Sequence, residues 1–71
     1  MVLSFRPVEV GFGRVEWQAR EGETVFAPQD DIDLPRPAEG RSVEAECFML
    51  PGYPSNQLKL VAVTRVLSCV V

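Results

Sequence analysis

Apolar and polar residues alternate along much of this chain with a period of two. In "GRVEWQARE", Val15, Trp17 and Ala19 fall on one side and Arg14, Glu16, Gln18 and Arg20 on the other, as in a strand with one face buried. "SVEAECFM" repeats the arrangement, with Val43, Ala45, Cys47 and Met49 opposed to Ser42, Glu44, Glu46 and Phe48. "VLSF" near the start and "TVFA" in the middle are rich in β-branched and aromatic residues, with turn formers beyond them, and predict two more strands. "LKLVAVTRVL" is apolar on both faces through its middle, the pattern of a strand covered on both sides.

Turn chemistry divides these segments. Gly11 and Gly13 bracket the first turn, and "REGE" around Gly22 predicts a hairpin. "PQDDIDLPRPAEGR" carries three prolines and a run of acids, so 29–41 is expected to be a long loop, with one helical turn near Asp30–Leu34. "LPGYPSNQ" is the last loop, and no segment offers a helix of three turns. Five short strands without an internal repeat predict an all-β fold, a small antiparallel barrel, because closure removes exposed edges. An OB-fold and an SH3-like barrel both fit this count.

The 71 residues make one domain, 1–71, and 46% of them are apolar, enough for a core without staples. Only two cysteines are present, Cys47 and Cys69, whereas a disulfide-stapled secreted domain carries more. Two reduced thiols in a cytoplasmic protein are the expectation. The N-terminus lacks the basic region and apolar run of a signal peptide. The apolar tail is interrupted by Lys59, Thr64, Arg65 and Ser68, so no membrane span is expected. Five of the six residues in 66–71, "VLSCVV", are apolar. They are expected to lengthen the last strand over the core or to pair with a second copy, giving a monomer or a homodimer.

Charge and composition narrow the chemistry. The net charge is −3 and histidine is absent, which removes the commonest general base and metal ligand. Asp30, Asp31, Asp33 and Glu39 lack the spacing of a calcium loop, and the two cysteines have no partner at zinc-site spacing. No nucleophile–base pair can be assembled, so neither catalysis, a metal nor a cofactor is expected. Binding remains.

Four stretches, "LSFRP", "VGFGRV", "VFAPQ" and "GRSVEAE", follow one another at a familiar spacing. In that order they resemble the bacterial cold-shock proteins, whose strands carry V-K-W-F-N, K-G-F-G-F-I and V-F-V-H-F stretches. The likeness covers about the first two-thirds of the chain and is loose after Leu50. It implies an OB-fold whose surface aromatics stack the bases of single-stranded RNA or DNA, as in transcription regulators or chaperones of that family. On this resemblance Phe5, Phe12 and Phe26 are the stacking residues. Arg14 stands where the family has a second aromatic and is the expected helper, a guanidinium plane being able to lie on a base.

The platform is thinned. Pro28 and Gln29 replace a histidine and a phenylalanine, and Ser4 and Val10 replace two lysines. Binding is therefore expected to be weak and nearly indifferent to sequence.

The residues themselves also allow simpler roles. The three phenylalanines could pack under a loop, Arg14 could pair with Glu9 or Glu23, and the phase of Trp17 places it in the core. Alternation puts Phe12 and Arg14 on one face with Glu16. It puts Thr24, Phe26 and Pro28 outward, with Val25 and Ala27 inward. The alternative function is a protein-interaction module on a degenerate barrel, engaging a basic partner in transcription or translation.

Overall fold

A computed structural model describes residues 1–29, 34–51 and 58–71. It has five strands: β1 Val2–Gly11, β2 Arg14–Glu21, β3 Thr24–Pro28, β4 Val43–Met49 and β5 Leu58–Cys69. They close in the order β1-β2-β3-β5-β4, with β4 returning to β1, and no helix occurs among the described residues. The protein is an OB-fold-like small barrel.

Four pairings are antiparallel, but β3 and β5 run parallel, Val25 facing Leu58 and Pro28 facing Val61. Apart from this one parallel pair the small barrel is antiparallel, as expected. Parallel neighbours need a long crossover, and here the chain from Gln29 onward supplies it, placing β4 before β5 returns beside β3.

Alternation selects the inner face of β1 and β4. Leu3 and Phe5 point inward from β1, and Val43, Ala45 and Cys47 from β4, while Ser4, Arg6, Glu44 and Glu46 point out. Ala19, Phe26 and Val61 complete the centre, with Trp17 and Val63 packed against it. Met49, expected on the inner face, lies at the strand end and is exposed.

The segment before β4 closes one end of the barrel. Leu34 and Pro37 are buried there, and the Ala38 amide donates to the Val70 carbonyl at 2.7 Å. The expected helical turn and most of the acidic run fall on residues 30–33, outside the described residues, as do residues 52–57 of the last loop. Residues 66–69 continue β5 along β4, Val66 opposite Ala45 and Cys69 opposite Val43. Val66, Leu67, Val70 and Val71 remain exposed.

Candidate functional site

Two strands outrun their partners in the barrel. β1 pairs with β4 only as far as Phe5, opposite Val43, and β2 pairs with β3 only from Ala19, opposite Phe26. Beyond those points Arg6–Gly11 and Arg14–Gln18 pair only with each other among the described residues. The result is a two-stranded arm standing off the barrel, with a cleft along each edge.

The arm ends in a two-residue turn, closed by the pairing of Gly11 with Arg14. Phe12 and Gly13 both have positive φ, 53° and 72°, which is the pattern of a type I′ hairpin turn. Glycine or asparagine normally occupies such positions. A phenylalanine there costs roughly 1–2 kcal/mol, and at 105% relative exposure it recovers nothing by packing. Just before the turn, Val10 is an extra residue in β1, where the register shifts between Glu9 and Gly11, and such a bulge strengthens the local twist. Val8 and Val10 are exposed as well.

Along the β2 edge lies a groove of about 380 Å³. Arg14, Val15, Glu16, Trp17 and Gln18 form its arm-side wall, and Val25, Ala27, Pro28, Gln29 and Leu58 form the wall on β3 and β5. It exists because β3 turns toward β5, where the Gln29 amide donates to the Val61 carbonyl at 2.8 Å. β2 continues with β1 instead. Val15 and Trp17 keep their inward phase, Trp17 packing against the core, but both are only half-buried and border the groove.

The expected stacking surface is overturned in two of its three rings. Phe5 is 0% exposed and Phe26 is 8% exposed, both in the core. Phe5 follows the parity of Leu3, and its opposite number Val43 is itself fully buried. Phe26 stands across from Ala19, whose phase is inward, so the faces of β3 are the reverse of those expected. Val25 and Ala27 turn to the groove instead. Phe12 alone of the three is in solvent, two residues before the exposed Arg14.

Arg14 makes no ion pair with Glu9 or Glu23; the pair present among the described residues is Arg65 with Glu46, at 3.6 Å on the surface. Trp17 packs against the core as its phase predicts and also borders the groove, which pattern reading did not foresee. Its phase is inward as expected, but β2 is eight residues long and β3 five. That mismatch was the available signal that the inward face of β2 would outlast its cover.

Among the described residues no three histidine, cysteine or acidic side chains gather as for a metal, and no helix is long and apolar enough to cross a membrane. Cys47 is buried, its thiol 3.9 Å from the Ala45 carbonyl. Burial pushes that thiol above its usual 9.0, against the Met1 ammonium and with the aid of Glu46. A protonated thiol inside the core is a packing group, not a nucleophile. In comparisons with known proteins, no family model, no curated protein and no solved structure matches the chain.

Proposed function

We propose that this barrel is a non-catalytic binding module that takes single-stranded nucleic acid, weakly and with little sequence preference, along the β2 edge of the arm. Trp17 and Phe12 would stack bases, Arg14 would meet a phosphate, and Gln18 and Gln29 would offer amide contacts. The observation that carries this reading is the groove where β2 parts from β3, bordered by the tryptophan and by an arginine with no ion pair among the described residues. The face of strands 2 and 3, with the loop between strands 1 and 2, is where OB-type barrels commonly hold oligonucleotides. The likeness of "VGFGRV" to the cold-shock glycine motif supports the same site through Phe12.

Magnitudes set the expected strength. A stacked base contributes about 1–3 kcal/mol, so two rings give roughly 2–6 kcal/mol. The upper end corresponds to a Kd of some tens of micromolar and the lower end to millimolar or weaker. Oligo-dT and oligo-rU titrated at low salt, with Trp17 emission as the signal, test this. Saturable quenching weakened several-fold by Phe12→Ala is the expected result, and Trp17→Leu, which removes the only tryptophan, should weaken binding several-fold when followed by calorimetry. No quenching at about 10 mM oligonucleotide, where even millimolar binding would show, sinks the proposal.

One observation favours a second reading. Val8, Val10 and Phe12 place three exposed apolar side chains on a short arm, and such a projection also suits contact with another protein. The module would then engage a protein, a basic component of transcription or translation being the partner suggested by the net charge of −3.

A further inference from the structure

The opposite edge of the arm carries a different chemistry. Where β1 leaves β4, past Phe5 and Val43, a cleft of about 580 Å³ opens between β1 and the segment leading into β4. Arg6 borders it from β1, and Arg36 and Arg41 from the other wall. Three of the chain's seven cationic side chains thus surround one concavity in a protein of net charge −3. A fourth, Arg20, shares the adjoining cleft with Arg6, beside Ser4, Gln18 and Ser42. None of the four has an ion-pair partner among the described residues. No ion pair among the described residues accounts for the cluster.

The wall that carries two of these arginines is held in place. Arg36 lies between the buried Leu34 and Pro37. The Ala38 amide is tied to Val70, and the Arg41 amide donates to the Ala38 carbonyl at 2.9 Å. That bond closes a turn whose third residue, Gly40, has φ 77°, a conformation that glycine adopts without strain. A fixed backbone lowers the ordering cost of binding.

We infer that this cleft binds a chain of phosphates, with Arg6, Arg36 and Arg41 as its donors. Planar guanidinium forks match phosphate oxygens two bonds at a time. Glu9 and Glu39 stand on the same walls and keep the local charge low. The ligand therefore has to meet the forks directly, which a compact oligophosphate does and diffuse negative charge does not. The phosphates can belong to a free oligophosphate, such as that of a nucleoside triphosphate, or to the backbone of a nucleic acid passing round the arm. The inference does not depend on stacking in the β2 groove.

Sodium tripolyphosphate is the probe, titrated at low ionic strength into the full chain and followed by calorimetry and amide chemical shifts. Saturable binding is expected, with shifts at Arg6 and residues 36–41. Arg36→Gln/Arg41→Gln should weaken it at least tenfold, and Arg6→Gln alone severalfold. Lys59→Gln/Arg65→Gln, which removes the same charge elsewhere, should change it less than twofold. Absence of saturable binding, or equal weakening in the two double variants, overturns the inference.

Thermal unfolding of each variant identifies any loss of fold, and Arg6→Gln then gives the independent reading. Competition assigns the source: displacement of bound oligo-dT by tripolyphosphate points to the nucleic-acid backbone, and simultaneous binding points to a free oligophosphate. If oligo-dT does not bind at all, the tripolyphosphate result still stands or falls alone.

Discussion

Phe26 faces Ala19 directly across the β2–β3 ladder, and both side chains are buried. That pairing fixes the parity of β3. It sends one of the expected stacking rings into the core, and it turns Val25 and Ala27 toward the groove. Phe26→Ala should therefore act first on stability, costing about 3–5 kcal/mol as large-to-small changes in a packed core do, and Phe5→Ala should cost a similar amount. Urea unfolding measures both. A loss below about 1 kcal/mol at either site would show that the ring is not part of the core.

The tip of the arm should behave in the opposite sense. Phe12 holds a positive φ without any packing in return, and asparagine tolerates that conformation better. Phe12→Asn is expected to raise stability by roughly 0.5–1 kcal/mol while weakening oligonucleotide binding severalfold. Destabilisation by Phe12→Asn in urea would mean that the ring is supported by the fold after all.

The position of the strands was legible in the chain, but which way some of their residues face was not. "VEAEC" alternates apolar with acidic residues, so burial of Val43, Ala45 and Cys47 follows from pattern alone. "TVFAP" has apolar residues on both faces, and only its pairing partner decides which side goes in. Phe5 was a different case: Leu3 and Phe5 alternate with Ser4 and Arg6, and that local signal pointed inward. The cold-shock resemblance pointed the other way, and the local pattern prevailed. The arm was hidden for a further reason. Where β1 and β2 lose their outer partners depends on pairings with β4 and β3 that are distant in sequence. Trp17 packs against the core as read, but the groove it also borders is encoded by no single segment.

The two thiols should separate by reactivity. Cys69 is half-buried near the Pro35 carbonyl, at 3.7 Å, whereas Cys47 is buried. A thiol reagent at pH 8 is expected to modify Cys69 readily and Cys47 only on unfolding. Rapid labelling of both in the folded protein would contradict the packing around Cys47.

The raised pKa of Cys47 also carries a stability consequence. The folded Cys47 thiol ionises above the ordinary 9.0, so the folded protein keeps that proton after the unfolded chain has lost it. Its contribution is fully present below pH 9 and falls as pH rises from there through the folded value. Urea midpoints should decline as pH rises above 9.0 in the native sequence, and less steeply in Cys47→Ala. Parallel curves would show that Cys47 is not the group responsible.

Salt dependence follows from the few cations in the β2 groove. With Arg14 as the phosphate contact there, the slope of log Kobs against log salt should be near −0.7, the value for about one phosphate on a single strand. If the strand also enters the arginine cleft on the far edge, the slope should steepen toward −2 or beyond. Repeating the oligo-dT titration across salt concentrations measures it, and a slope of zero would remove Arg14 from the contact.

Amide chemical-shift mapping with a short oligo-dT at low salt tests the central claim most directly. Shifts concentrated at Phe12, Arg14, Trp17 and Gln18, and across the groove from Val25 to Gln29, are the predicted result. Shifts confined to the outer face of β4, or none at saturating oligonucleotide, would contradict it.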